Sequence, residues 1–384
     1  GGSLAGMLQQ RLQASLPQRN IEVITTAMTA VNSYTLMDFA DEIIARQPDA
    51  VLIYAGHNEY LGVLGVGSAV SAGRTRPVVL TYLALRDLRT LQLLKHAYLG
   101  LSAGETPAEG HAESGPTLMS RIVAEPHIAL DSPLYHRGVA QFRDNLTVLL
   151  KRYRDAGIPV YIGTLVSNEK DLPPFASPLS ERTDITAWRR HFEKGIDALR
   201  SGDTDLAGTS FAAALALDDS AASVHFARGR LHESQGEYSA ARLAYLDARD
   251  RDQLRFRAPQ NFNRIIRAVA ADQGAQVVDV EASLLDDATH RIIGNELMLD
   301  HLHPNLWGYF LLADAYYQAL LDDGIPGPDV QLISRQQAWN ELPVTAVDLK
   351  KADYEIMRLI ADWPFQRTPA QPQYPVPDLS LIHI

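Results

Sequence analysis

The chain has 384 residues, more than one domain usually holds, so we expect either one large domain with an insertion or two domains. Its 35 lysines and arginines against 46 aspartates and glutamates give a net charge of −11, which disfavours nucleic acid as a partner. The absence of cysteine excludes thiolate catalysis, iron–sulfur ligation and disulfides, and it fits either a reducing or an oxidising compartment.

The two ends of the chain do not fit the patterns between them. The opening GGSLAGMLQQRL enters a helical pattern at once and leaves no room for a preceding strand, so we expect the natural chain to continue upstream. Residues 379–384 follow a proline-rich stretch and fit no pattern, and we expect them to be disordered or non-native. No run of about 18 apolar residues predicts a membrane span. Without the upstream sequence, neither a signal nor an anchor can be judged, and no localisation is predicted.

Helix and strand patterns alternate along the first 60 residues. Leucines recur at helical spacing from Leu4 to Leu16, and the apolar, β-branched residues 21–28, IEVITTAM, predict a strand. Thr35 with Asp38 resembles a capping box that begins the next helix. The continuous apolar run AVLIYAG at residues 50–56 then predicts a buried parallel strand.

The same alternation returns later in the chain. A helical pattern around residues 142–150 precedes the predicted strand IPVYIGTL, and NFNRIIRAVAADQG precedes the predicted strand AQVVDV. Four such units predict an α/β fold with a parallel sheet covered on both faces. Between residues 56 and 133 the alternation lapses into helical pieces and a loop near residues 102–117, which either roof a site or pack on the edge of the sheet.

An internal repeat interrupts the α/β pattern. The matching positions, each pair 34 residues apart, are Gly202 and Gly236, Ala207 and Ala241, Phe211 and Tyr245, and Ala214 and Ala248. The period and the pattern of small and aromatic residues resemble the tetratricopeptide repeat, in which small residues let two antiparallel helices approach. We therefore expect residues 183–255 to form two helix pairs that protrude from the α/β body, and we expect their deletion to spare the sheet.

The stretch DHLH at residues 300–303 has three interpretations. His-x-His suggests a metal site, but a closed site needs about four ligands and no zinc motif such as H-E-x-x-H occurs, so we expect no metal. Asp300 can instead cap the helix that follows. In the catalytic interpretation, the carboxylate of Asp300 orients the imidazole of His303, whose other nitrogen then takes a proton from a serine hydroxyl.

Two further stretches follow predicted strands, at the sheet edge where α/β folds place ligands. In YAGHNEYLG, Gly56 permits a tight turn, Asn58 can offer an amide donor to an oxyanion, and His57 is either a pocket residue or a turn residue. In TTAMTAVNSYT, backbone N–H groups near Ala27 lie beside the polar Asn32. The polar pair at residues 168–169 follows another predicted strand and could line the pocket, but it is expected to face solvent.

Four blocks of the sequence together resemble the SGNH (GDSL) hydrolase family, whose blocks are G-D-S-L, an oxyanion glycine, G-x-N-D and D-x-x-H. The counterparts are GGSL at residues 1–4, Ala27, GHNE at residues 56–59 and DHLH at residues 300–303. The first three blocks each depart from the family pattern by one residue, and the fourth matches it. With its inserted repeat, the chain is similar over most of residues 1–322 to a tetratricopeptide-containing branch of these hydrolases.

The resemblance implies a fold and a division into domains. The fold would be a three-layer α/β/α, SGNH-like (flavodoxin-like) parallel sheet with an inserted all-α tetratricopeptide-like module. The hydrolase-like domain would occupy residues 1–182 and 256–325, the module residues 183–255, and a C-terminal extension residues 326–384. Because the strand that should precede Ser3 in such a fold is missing, we expect little esterase activity from the chain as it stands.

The resemblance also implies roles for the site residues. Ser3 would be the nucleophile, His303 the general base oriented by Asp300, and Asn58 and the backbone N–H of Ala27 the donors to the oxyanion. The residues that would line the pocket are Gly56, His57, Glu59 and Asn32. The implied activity is that of a serine esterase, similar to an acetylesterase, that acts on an acyl ester and needs no cofactor.

Alternatives stay open. Ser3 could be a helix N-cap or part of an artificial leader. The same residues would support acyl transfer to a sugar hydroxyl in place of water. The hydrolase-like domain could also be an inactive scaffold whose repeats bind a protein or peptide partner. A nucleotide-binding domain is disfavoured because neither G-x-G-x-x-G nor G-x-x-x-x-G-K-[ST] occurs.

Overall fold

Three parallel strands form the sheet of this protein. The computed structural model describes residues 3–70, 73, 75–85, 88, 123–325 and 327–365. The strands are β1 (Val51–Ile53), β2 (Val160–Gly163) and β3 (Gln276–Val278), in the order β1-β2-β3. Leu52 lies opposite Tyr161, and Ile162 lies opposite Val277. Each strand lies within an apolar run that the sequence predicts to be a strand, so the predicted α/β class with a parallel sheet is confirmed.

Helices account for most of the remaining described residues. They are α1 (Leu4–Ser15), α2 (Ser33–Ala45), α3 (Arg76–Leu85), α4 (Pro133–Asp155), α5 (Ile185–Ser201), α6 (Thr204–Leu217), α7 (Ala222–Ser234), α8 (Tyr238–Arg251), α9 (Gln260–Gln273), α10 (Val280–Asp287), α11 (Leu306–Asp322), α12 (Arg335–Asn340) and α13 (Ala346–Ile360). Single 3₁₀ turns lie at His57–Glu59 and Thr289–Arg291. The helical patterns before the three strands correspond to α2, α4 and α9.

The side chains of β2 alternate between two hydrophobic clusters. Val160 and Ile162 pack in a cluster with α2, α4 and α9, whereas Tyr161 packs in a cluster with α1, α10 and α11. Successive side chains of a strand point to opposite faces, so the two clusters lie on the two sides of the sheet. Helices therefore cover both faces of the described strands.

Two local predictions in the first 40 residues are wrong. Residues 21–28 form no strand, and Ile24 in their middle is 70% exposed. The physical reason is that a strand needs a neighbour for its backbone hydrogen bonds, and within the described residues β1 pairs with β2 alone. Helix α2 begins before Thr35, because Asn32 is the cap and its side-chain oxygen accepts a hydrogen bond from the N–H of Tyr34 at 3.1 Å.

The region between β1 and α4 is described only in part. Helix α3 packs against α4, where Arg76 donates a hydrogen bond from Nε to the side chain of Asn145 at 2.8 Å. The predicted loop near residues 102–117, like the chain end at residues 379–384, lies outside the described residues. None of the described helices is both long and apolar enough to cross a membrane.

The predicted repeat corresponds to two helix pairs. Helix α5 packs on α6 and α7 packs on α8, and the members of each pair are joined by two or three residues, so they run antiparallel. Glycines allow the close approach: Gly195 faces the ring of Phe211 in the first pair, and Gly229 faces the ring of Tyr245 in the second. These contacts recur at the 34-residue period of the sequence, which confirms that the period is structural.

The glycine contacts predict a specific pattern of stability. Replacing Gly229 by alanine is expected to destabilise the fold by about 1–3 kcal/mol, because the new Cβ would lie 2.5 Å from ring carbons of Tyr245. Gly208→Ala in α6 is the matched control, since its Cβ would lie 3.7 Å from the nearest atom, in Leu231. Alanine favours a helix over glycine, so that variant should be neutral or stabilised. Urea unfolding checks both variants, and equal losses would contradict the close packing.

Candidate active site

The predicted Asp300–His303 motif lies on a tight loop that precedes α11. Within the loop, the N–H of Leu299 donates to the carbonyl of His303 at 2.8 Å. At its tip, the carbonyl of His301 accepts a hydrogen bond at 3.0 Å from the N–H of Asn168, which belongs to the segment that follows β2. Asn305 ends the loop and caps α11 by accepting from the N–H of Gly308. The loop is therefore fixed at both ends and beside the carboxyl end of a central strand.

Asp300 and His303 form the carboxylate–imidazole pair that the sequence predicts. Oδ2 of Asp300 lies 2.6 Å from Nδ1 of His303, and Oδ1 accepts hydrogen bonds at 2.8 Å from the N–H groups of Leu302 and His303. The side chain of Asp300 is fully buried, whereas that of His303 is 45% exposed. Nδ1 is engaged, and Nε2 makes no hydrogen bond to any described residue, so it can face a substrate. Asp300 caps no helix here; Asn305 does.

Asp300 and His303 each stabilise the charged form of the other. Burial opposes ionisation of Asp300, but its hydrogen bond with His303 and the closeness of both imidazole rings hold its pKa well below the usual range. Burial likewise disfavours protonation of His303, yet the hydrogen bond and charge of Asp300 outweigh it and raise the pKa of His303 above its ordinary value. The carboxylate thus stays ionised and can stabilise an imidazolium as it forms.

His301 is a third member of the cluster that the sequence analysis did not single out. Its ring is buried among Phe175, Phe256 and Phe365, with ring centroids 5.3 to 5.9 Å apart. Nδ1 lies 3.3 Å from Oδ1 of Asp300 but outside hydrogen-bond geometry. Burial lowers the pKa of His301 despite Asp300, so the ring is neutral. The sequence carries no signal for this role, because the three rings come from distant segments.

The cluster has some of the chemistry of a metal site. One ligand atom from each of Asp300, His301 and His303 falls within 4.8 Å of the others, and no fourth histidine or carboxylate joins them among the described residues. Both oxygens of Asp300 already accept hydrogen bonds from protein N–H groups, and Nδ1 of His303 is one of those donors. A metal would have to displace these bonds. The donor set therefore fits a carboxylate–imidazole pair better than a closed metal site.

The turn after β1 lies near this loop. Gly56 has a φ of 156°, and a Cβ on it would lie 2.5 Å from a side-chain atom of Leu165, so a glycine is required there. Nδ1 of His57 accepts a hydrogen bond from the N–H of Ala258 at 3.1 Å. Burial above all, together with the nearby His301, Arg249 and His303, lowers the pKa of His57 to about 3. His57 is thus a buried neutral ring that brings the turn towards the Asp300–His303 pair.

Asn58 and the turn before α2 lie side by side. The amide of Asn58 is half-buried and makes no hydrogen bond to any described residue, so it can serve as a donor. The site where Gly62 would carry a Cβ lies 2.6 Å from the carbonyl oxygen of Ala30 and 3.0 Å from Cβ of Asn58. Ala30 is buried and has a left-handed φ of 62°, which is uncommon for alanine. Ala30 therefore lies beside Asn58.

Ala27 is not placed as the sequence predicts. It is exposed, and its N–H donates to Oγ1 of Thr25 at 3.3 Å, so the segment that was expected to be a strand presents no free N–H at that position. The physical reason is the missing strand pairing of residues 21–28. A small residue three positions further along, Ala30, takes the strained position beside Asn58, and the sequence shows no signal that distinguishes it from Ala27.

Glu59 and Asn32 belong to the interior and not to an open pocket. The carboxylate of Glu59 is fully buried and accepts hydrogen bonds from the N–H and hydroxyl of Ser33, at 3.0 and 2.7 Å, and from the amide of Gln141 at 2.6 Å. Burial raises the pKa of Glu59, and these donors oppose the rise. Asn32 is fully buried at the start of α2, and its Nδ2 has no hydrogen-bond partner in the described part of the chain. The network ties the turn after β1 to α2 and α4.

Ser3 lies at the start of α1 as its N-cap, and its Oγ accepts a hydrogen bond from the N–H of Gly6 at 3.2 Å. It makes no hydrogen bond to His303. Helix α1 runs parallel to α11, because Arg11 pairs with Asp314 and Ser15 bonds to Tyr317.

The same register, continued towards the chain start, brings Ser3 beside Leu306, three residues after His303. Leu4 accordingly packs in one cluster with Leu306 and Trp307. The N-cap that the sequence analysis left open as an alternative is the contact observed.

Comparisons of the chain with protein-family models, curated proteins and solved structures give no match. The geometry around His303 therefore has to carry any functional conclusion. It pairs Asp300 with His303, buries His57 in the turn that also carries Asn58, makes Ser3 the N-cap of α1 and leaves Ala27 exposed.

Proposed function

We propose that the chain is a serine esterase of the SGNH type, with a three-layer α/β/α fold and a tetratricopeptide-like module. The observation that supports this most is the Asp300–His303 pair: a buried, ionised carboxylate 2.6 Å from Nδ1 of an imidazole whose Nε2 is free and half-exposed. Such a pair is suited to take a proton from a hydroxyl and return it. The substrate class is an acyl ester, and no cofactor enters the reaction.

In this proposal the groups act in a fixed order. Nε2 of His303 takes the proton of the Ser3 hydroxyl as Oγ bonds to the ester carbonyl carbon, and the amide of Asn58 donates to the resulting oxyanion. The bond to the alcohol oxygen then breaks, and His303 returns the proton to the leaving alcohol. A water molecule repeats the sequence on the acyl-serine and releases the acid. If a sugar hydroxyl replaced the water, the same groups would carry out acyl transfer.

The test is covalent labelling together with turnover. The 384-residue chain is expected to react with a fluorophosphonate probe at Ser3, as peptide mass spectrometry would show, and Ser3→Ala should abolish this label together with the low rate of p-nitrophenyl acetate hydrolysis expected of the chain as it stands. Ser201→Ala, on the surface end of α5, is the matched control and should change neither. A chain that hydrolyses the ester undiminished by Ser3→Ala would show that the nucleophile is misassigned. A chain that takes up no label at Ser3 would favour the scaffold with a peptide-binding repeat module.

Replacing Asn58 by alanine is expected to lower kcat by about 100-fold or more, with KM nearly unchanged, as for the loss of one donor that acts on the developing oxyanion. The structure supports this because the Asn58 amide is not committed to any described partner. Steady-state kinetics on p-nitrophenyl acetate measure it, with Asn340→Ala on an exposed helix end as the control. A rise in KM at constant kcat would mean that Asn58 binds the ester equally in ground and transition states.

A further inference from the structure

The segment after β2 is hydrogen-bonded to the loop that carries the candidate catalytic pair and to the residues that precede this loop. The N–H of Asn168 donates to the carbonyl of His301 at 3.0 Å, and the N–H of Glu169 donates to the carbonyl of Ile293 at 2.8 Å. The side chain of Asn168 adds a bond at 2.8 Å to Asn295. The sequence predicts that residues 168–169 face solvent, but both are buried. We call residues 167–169 the clamp, because they hold the site loop at its tip and at its start.

The clamp is held in turn by the helical module. Nε and Nη2 of Arg242, in α8, each lie 3.0 Å from an oxygen of the buried Glu169 carboxylate, which is a two-point ion pair. Nη2 of Arg242 also donates to Glu281 at 2.9 Å. Arg249 lies about two turns further along α8, and its Nη1 is 3.3 Å from the hydroxyl of Ser167. The module therefore reaches into the α/β body with two arginines.

The ion pair is costly to break. Burial raises the pKa of Glu169, and the charge of Arg242 and its hydrogen bonds act against that rise. If Arg242 is removed, a buried carboxylate is left without its partner, and this is strongly destabilising for the local structure. We expect the local structure to relax by a movement of the clamp that exposes the Glu169 carboxylate to water. Because the clamp bonds to Ile293 and His301, the site loop would move with it.

We propose that Arg242 is a positioning residue of the active site: through Glu169 and the clamp, the helical module holds Asp300 and His303 in place. Arg242 touches no reacting atom. This inference rests on the proposed esterase function and adds to it a role for the module that does not require a partner. It also differs from the expectation that deletion of residues 183–255 spares the sheet, since deletion would remove the only cation that pairs with Glu169 in the described part of the chain.

The test compares Arg242→Leu with Arg242→Lys, which keeps the charge without the planar fork, and with Arg200→Leu, an exposed arginine of the same module. Arg242→Leu is expected to lower kcat by about 10- to 100-fold with KM within about twofold, because misplacing a catalytic group by an ångström costs that much. Arg242→Lys should fall between it and the unaltered chain, and Arg200→Leu should have no effect.

A second readout does not depend on turnover. The proton between Nδ1 of His303 and Asp300 is expected to give a downfield NMR resonance in the unaltered chain, and Arg242→Leu should broaden or abolish it by speeding exchange with water. If Arg242→Leu does not fold, Arg242→Lys, which keeps a cation beside Glu169 without the two-point fork, is measured in its place and should broaden the resonance.

These readouts separate the two proposals. A folded Arg242→Leu variant with unaltered kcat and resonance would overturn the positioning role. Where Arg242→Leu does not fold, an unaltered resonance in Arg242→Lys would overturn it as well. An unaltered chain without esterase activity would reject the proposed function, but the loss of the resonance in Arg242→Leu would still establish that the module holds the loop.

Discussion

Replacing His303 by alanine is expected to lower kcat for ester hydrolysis by about 10⁴-fold or more, because Ser3 then has no base to take its proton. The reason is structural as well as chemical: Nδ1 of His303 is held by Asp300 at 2.6 Å, so Nε2 is the nitrogen left for catalysis. KM should change little, since the imidazole acts in the transition state. Stopped assays on p-nitrophenyl acetate, with product quantified over hours, have the range to measure such a loss.

The control is His136→Ala, whose side chain is exposed on α4 and should leave turnover unaltered. Alanine has no side-chain atom that could accept the proton of Ser3, so the variant keeps no base at position 303. Turnover in His303→Ala within tenfold of the unaltered chain would mean that another group is the base. His301, whose ring centroid lies 5.9 Å from that of His303, is then a candidate base, although it is buried and burial lowers its pKa.

The strands show how far local patterns predict this fold. The three runs that became β1, β2 and β3 are rich in apolar residues, and each strand places at least one buried side chain in the clusters between sheet and helices, so sequence and environment agree. Residues 21–28 have the same composition but no hydrogen-bonding neighbour, and they stay exposed and irregular. Strand propensity indicates which segments can form a strand, and a strand forms only where a neighbouring strand pairs with the segment.

The site shows a similar division between local and long-range information. The Asp300–His303 pair is local: three residues of separation and a tight loop bring the two side chains together, and the sequence predicts it. The clamp is not local, because the partner of Glu169 is Arg242, 73 residues further along the chain. An arginine in a helix usually faces solvent, so nothing in the local pattern of α8 distinguishes Arg242 from its neighbours. The ties between module and body had to come from the structure.

Replacing Asp300 by asparagine is expected to lower kcat by about 10⁴-fold while the loop keeps its fold. Asparagine retains an oxygen that can accept hydrogen bonds from the N–H groups of Leu302 and His303. In the unaltered chain both nitrogens lie 2.8 Å from Oδ1 of Asp300. What it loses is the negative charge, and with it the fixed Nδ1–H tautomer of His303 and the stabilisation of the imidazolium. A variant that unfolds, or one that keeps full activity, would contradict this account.

The pH dependence gives this prediction a second measurement with a fixed sign. His303 must be neutral to act as a base, so kcat/KM should rise with pH through the pKa of His303, which Asp300 holds above the ordinary value of 6.5. Removing the carboxylate leaves burial, which lowers the pKa, and the neutral ring of His301, whose centroid is 5.9 Å away. In Asp300→Asn the midpoint of the pH profile of kcat/KM should therefore move to lower pH, and the plateau value of kcat/KM should fall.

Stability follows the same linkage. The pKa of Asp300 is lowered by folding, so its contribution is present above its unfolded pKa, about 3.9, and is lost as pH falls. The pKa of His303 is raised by folding, so its contribution is complete below about 6.5 and is lost as pH rises through the folded pKa. The pair should stabilise the chain most between about pH 4 and 6.5. Urea unfolding across this window measures the free energy of unfolding against pH, and its maximum should be flatter in Asp300→Asn. An unaltered pH profile would mean that the carboxylate and the imidazole are not coupled in solution.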